Sequence, residues 1–146
     1  MYPTDVARVV EVMGGQQLMH LGTNALTDLQ TAIAHGLPIA VARNVARSVA
    51  PEDASIRKRV MGLVASPATM KRRVTLSPEA GERAERLARV TAMTIGALGS
   101  PAEAQRWLTQ PHMLFGHRPP IDVASTDLGA REVEQMLNDI EYSLPV

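Results

Sequence analysis

The chain contains no cysteine among its 146 residues. Disulfide frameworks, thiolate zinc sites and cysteine nucleophiles are thereby excluded. Aromatic residues are almost absent, with only Tyr2, Trp107, Phe115 and Tyr142. No run of eighteen apolar residues occurs, so no membrane span is expected. The first residues, MYPTDVARVVEVMGG, lack a basic start and a small-residue cleavage site, which gives the expectation of a cytoplasmic protein. No GxSxG, HExxH or phosphate-cradling loop is present, and Gly14-Gly15 reads as a turn. His112, His117 and Asp122 recur at intervals of five, without the i, i+4 histidine pair of a helical metal site. No metal, cofactor or catalytic constellation is expected, and hence no enzyme.

Aliphatic residues and alanine dominate instead, and the fold class expected is all-α. Three Ser-Pro pairs, Ser66-Pro67, Ser77-Pro78 and Ser100-Pro101, read as helix starts. Serine can accept from free backbone N–H groups, and proline at the first helical position forfeits no hydrogen bond. Glu103, three residues after Ser100, completes a capping box. Apolar positions at helical spacing predict helices around Leu26–Ile33 and Ile39–Val49, a long one from Pro78 to Leu98 stopped by Gly99, and a last one from about Leu128 to Tyr142. A short strand is possible at Val74–Leu76, and Pro111–Ala124 reads as a Pro/Gly-rich loop.

The net charge of zero conceals an asymmetry. Arg43 to Arg73 holds eight basic residues against Glu52 and Asp53, a local charge of +6. Ser100 to Val146 holds three basic residues against seven acidic ones, a local charge of −4. Either these are ordinary solvated faces, or they mark a polyanionic partner for the first segment and a basic one for the second. Within the basic segment a helix over Asp53–Leu63, a turn over Val64–Ser66 and a helix over Pro67–Val74 have helix-turn-helix spacing. In that geometry Thr69, Lys71, Arg72 and Arg73 on the second helix face DNA, with Arg57 and Lys58 on the first as further phosphate contacts.

The C-terminal third holds Ala104, Trp107-Leu108, Pro111, Leu114-Phe115-Gly116, Pro119, Thr126, Gly129, Val133, Leu137 and Ile140. That ordered set resembles the toxin-binding domain of the Xre/ParS/MbcA antitoxins, partners of RES-domain toxins. Upstream, Gly36-Leu37-Pro38, Thr69 to Arg73, and Leu76-Ser77-Pro78-Glu79 extend the resemblance to about residues 12–146. It implies an Xre-like helix-turn-helix domain over 1–75, a connecting long helix over 76–99 and a toxin-binding domain over 100–146. Val64 departs from the family by replacing a turn glycine, and His117 and Arg118 fill positions that are often smaller or differently polar.

The resemblance implies a non-catalytic antitoxin that covers the NAD-binding cleft of a cognate RES toxin. It also implies repression of its own operon through operator DNA, and a homodimer within a larger complex. The contact residues it implies are Trp107, Phe115, His117, Arg118, Glu134, Asp139, Glu141, Tyr142 and the terminal carboxylate of Val146. A stand-alone helix-turn-helix repressor without a toxin is the alternative.

Overall fold

Helix caps written into the sequence divide the chain into short rods around one long one. The structure, a computed structural model, describes residues 1–143. Among them the helices are α1 (Val6–Met13), α2 (Leu26–His35), α3 (Ala40–Val49), α4 (Ala54–Val64), α5 (Pro67–Arg72), α6 (Pro78–Leu98), α7 (Pro101–Thr109), α8 (Pro120–Val123) and α9 (Asp127–Ser143). No strand occurs among the described residues. The expected strand at Val74–Leu76 reduces to one isolated bridge between Thr75 and Pro38, closed by Leu76 N–H donating to the Leu37 carbonyl at 2.7 Å.

All three Ser-Pro pairs start helices. The hydroxyls of Ser66, Ser77 and Ser100 accept from the backbone N–H groups of Thr69, Ala80 and Glu103 at 3.1, 3.1 and 3.2 Å. The expected capping box at α7 is only half formed, because the Glu103 carboxylate pairs with Arg106 at 3.4 Å instead of returning to Ser100. Helix α1, with Asp5 as its cap, was not among the expected elements. Its valines favour strands by propensity, yet Val9, Val10 and Met13 fall on one helical face and are buried.

Helix α6 is the spine of the molecule and packs against α1, α2, α3, α4, α7, α8 and α9. It is therefore a shared core element as well as a connection between two halves. Ala80, Ala84, Leu87, Ala88 and Thr91 are buried along it, so small residues let its neighbours approach closely. Thr91 and Thr94, the buried polar residues, satisfy their hydroxyls by donating to the Leu87 and Val90 carbonyls.

Three arginines at three-residue spacing on α6 each tie down a different element. Arg83 Nε donates to the Val64 carbonyl at 2.8 Å and closes the end of α4. Arg86 Nη1 donates to the Ser125 carbonyl at 3.0 Å, at the corner before α9. Arg89 Nε meets the Glu134 carboxylate of α9 at 2.6 Å, while its Nη1 meets Glu85 at 2.9 Å.

The Pro111–Ala124 segment is not the irregular loop expected. It holds a 3₁₀ turn at Met113–Phe115 and the four-residue α8, whose Pro120, Ile121 and Val123 are buried. The apolar stretches here, Met113–Phe115 and residues 121–123 interrupted by Asp122, are too short to display a period.

Candidate functional site

Two surfaces carry the chemistry. The first is the α4–α5 pair. Asp53 caps α4 by accepting from Ile56 N–H at 3.1 Å, and Ser66 caps α5. The turn expected over Val64–Ser66 is shorter, because Val64 is the last residue of α4 and is buried. Ala65 and Ser66 form the turn in extended backbone, with φ of −159° and −64°. A glycine is therefore not needed there, and the β-branched Val64 carries no strain. The second helix is also shorter than expected, ending at Arg72 rather than Val74.

Lys58, Lys71, Arg72 and Arg73 are exposed on this unit. Arg43 of α3 joins Lys58 and Lys71 around a shallow cleft floored by Met61, Ala65, Pro67 and Met70. Arg57 is withdrawn from the expected DNA-facing set. Its guanidinium donates to the carbonyls of Ala50 and Pro51 at 3.0 and 2.7 Å, closing the end of α3. Thr69 is half-buried and accepts from the Ser66 hydroxyl at 2.8 Å, so it serves the cap. Ala68, Lys71 and Arg72 are the exposed side chains that α5 offers after Pro67. The helix thus presents positive charge and a methyl group, with few groups able to read base edges by paired hydrogen bonds.

The second surface is built from α7, the 3₁₀ turn and α9. Thr126 caps α9 by accepting from Gly129 N–H at 3.0 Å. Gly129 is required where it stands, since a Cβ there would run into the Val123 carbonyl oxygen. Val133 and Leu137 bury one face of α9. Glu132, Asp139 and Glu141 remain exposed on the others.

Glu134 does not belong to this open acidic face. Its side chain is 14% exposed and bound to Arg89, itself 16% exposed. Tyr2 completes the cluster, its hydroxyl donating to Glu85 at 2.6 Å and its ring lying 5.8 Å from the Arg89 guanidinium carbon. Burial and the adjacent Glu85 carboxylate push the Tyr2 phenol well above its ordinary value. Burial alone would lower the Arg89 guanidinium, but Glu85 and Glu134 outweigh it and raise the group further.

Phe115, expected as a partner contact, is buried. It packs on Trp107 at 6.5 Å and on His112 at 5.1 Å between ring centroids. Trp107 is half-buried. His117, Arg118, Asp139, Glu141 and Tyr142 are exposed, whereas Val146 lies outside the described residues. Met113 and Leu114, both strongly exposed, were not among the expected contact residues, since an apolar pair in a presumed loop carries no periodic signal.

Arg59 of α4 reaches Asp122 of α8 at 3.6 Å, a direct ion pair between the two surfaces' supporting elements. Among the described residues no group of three His, Asp or Glu is arranged to hold a metal ion, and no helix is long and apolar enough to cross a membrane.

Comparison with known proteins agrees with this division. Residues 28–89 match the antitoxin Xre-like helix-turn-helix domain, and residues 91–142 match the antitoxin Xre/MbcA/ParS C-terminal toxin-binding domain. The two matches meet inside α6 rather than in a linker. Neither is a family of enzymes. The chain is also similar to a protein named Antitoxin Xre from Pseudomonas putida KT2440, with 30% identity over 84 residues, which is 58% of this chain. The matched region spans about half of that relative, 53% of its length. With both domains present in this order, the chain belongs to the Xre/MbcA/ParS family of antitoxins.

Proposed function

We propose that this chain neutralises a RES-domain, NAD-consuming toxin by laying the end of α9 over its active-site cleft. The observation that carries this reading is electrostatic. Helix α9 ends with Asp139 and Glu141 and has no basic residue in its last turn. The carbonyl end of a helix carries partial negative charge, so carboxylates there are destabilising by a few tenths to about 1 kcal/mol each. A cationic cleft, such as one that holds the pyrophosphate of NAD, relieves that repulsion. Violations of local helix rules concentrate at functional sites. The position of this helix within the matched toxin-binding domain supports the same reading.

Trp107, His117, Arg118, Asp139, Glu141 and Tyr142 are the contact residues in this proposal, together with Val146. Phe115 and Glu134 act from within the fold. The exposed Lys58, Lys71, Arg72 and Arg73 bind operator DNA, and the chain, as a dimer in the cytoplasm, represses its own operon. Two-fold operators favour two-fold proteins.

A stand-alone repressor is the second reading, favoured by that same exposed basic group on α4–α5. Co-expression with a RES-domain toxin separates the two. A stable complex and preserved cellular NAD support the antitoxin reading. Undiminished NAD loss with no complex refutes it and leaves the repressor.

A further inference from the structure

The turn between α7 and α8 holds two large apolar side chains outward on a fixed frame. Met113 and Leu114 are 76% and 70% exposed. Six hydrogen bonds within residues 112–118 fix the turn that carries them, among them the following four. His112 N–H donates to the Arg118 carbonyl at 3.1 Å, and His117 N–H donates to the His112 carbonyl at 3.0 Å. Leu114 N–H donates to His112 Nδ1 at 3.2 Å, and Gly116 N–H to the Met113 carbonyl at 3.3 Å. Phe115 anchors the turn from beneath by packing on Trp107 and His112.

The turn closes through two successive left-handed residues, Gly116 at φ 65° and His117 at φ 63°. A non-glycine residue in that region is strained, and strain held by a surrounding frame gathers at functional positions. A lone exposed leucine is ordinary, but a rigid adjacent pair is an organised contact. The exposed Arg118 places a positive charge at the border of the pair, beside the exposed His117. Among the described hydrogen bonds, the Arg118 guanidinium reaches only the Asp122 carbonyl, at 3.3 Å.

We propose that Met113 and Leu114 are the apolar anchor of the toxin interface, seated in an apolar socket of the toxin bordered by carboxylates. The inference rests on the toxin-binding reading above, and two observations commit the surface to that occupant. The turn lies inside the segment matched to the toxin-binding domain. Its cationic border is opposite in sign to the exposed acidic face of α9, so the two parts of this domain address different charges on one partner. Interfaces draw most of their affinity from a few desolvated anchors, and the buried Phe115 cannot supply one without unpacking the turn.

The test is calorimetric titration of the full chain with a catalytically inactivated RES-domain toxin that the unmodified chain binds. Met113→Ser with Leu114→Ser should weaken binding at least about 30-fold, the effect of losing a hot spot. The melting curve and DNA retention should not change, and Leu114→Met should stay within about threefold of the parent. If the double variant does not fold, Leu114→Glu alone is measured against the same criterion. Undiminished affinity overturns this proposal while leaving the toxin-binding reading intact. Failure of the unmodified chain to bind any RES-domain toxin overturns both. Altered self-association of the isolated chain, without loss of toxin affinity, assigns the anchor to a second copy and also overturns it.

Discussion

Arg89 and Glu134 stand 45 positions apart and pair at 2.6 Å, tying the middle of α6 to the middle of α9. Arg89 also holds Glu85, so one nearly buried cation neutralises two nearly buried carboxylates. Its loss leaves those carboxylates uncompensated. Arg89→Ala should cost about 3 kcal/mol or more, as breaking one partner of a buried ion pair does. A urea unfolding midpoint reads the change. Glu134→Gln should cost less, and toxin affinity should survive it, because this carboxylate already has its partner within the fold.

The same cluster predicts a pH dependence. The Tyr2 phenol stays protonated in the folded chain beyond the ordinary value of about 10. The unfolded chain therefore loses this proton first, and stability falls as pH rises through that ordinary value. Below it the contribution is fully present. Thermal melts of the parent chain should decline faster than those of Tyr2→Phe above pH 10. Parallel curves would show that the hydroxyl contributes nothing differential.

Much of the fold was legible because its signals are local. Ser-Pro pairs capped α5, α6 and α7 where expected, and Gly99 ended α6. The failures are also physical. Helix-turn-helix spacing puts Val64 in the turn, but α4 runs through it, and extended backbone at Ala65 and Ser66 turns the chain without a left-handed residue. Glu134 reads as one of a row of solvent-facing acids until α6 supplies Arg89, a contact that no helical period encodes. Phe115 and Leu114 are adjacent apolar residues in the sequence, and only the closure of the 3₁₀ turn decides which faces in. The charge asymmetry pointed to both surfaces but not to the arginine and threonine, Arg57 and Thr69, that serve backbone closure instead.

Gly129 offers a steric test of the α8–α9 corner. A Cβ at this position meets the backbone carbonyl of Val123, which cannot yield as a flexible side chain can. Gly129→Ala should destabilise by about 3 kcal/mol, at the upper end of overpacking. That corresponds to a melting point lower by roughly 6–12 °C. A shift below about 2 °C would mean that the corner relaxes freely.

The basic surface predicts how DNA is held. Arg72→Ala with Arg73→Ala should weaken operator retention in a gel shift and leave toxin neutralisation unchanged. The slope of log affinity against log salt should fall by about 0.9 for each phosphate contact removed. Arg57→Ala should instead lower stability, since its carbonyl partners at Ala50 and Pro51 lose their donor. Unchanged retention by the Arg72/Arg73 variant would exclude α5 from the DNA interface.

The end of α9 is the centre of the account, and removing it is the most direct test. A chain ending at Asn138 keeps Val133 and Leu137, which bury α9 against the core, and loses Asp139, Glu141 and Tyr142 together with Val146. Cellular NAD is measured while this truncated chain and the RES-domain toxin are expressed together. The account predicts a folded protein that no longer protects NAD. Full protection by the truncated chain would contradict it.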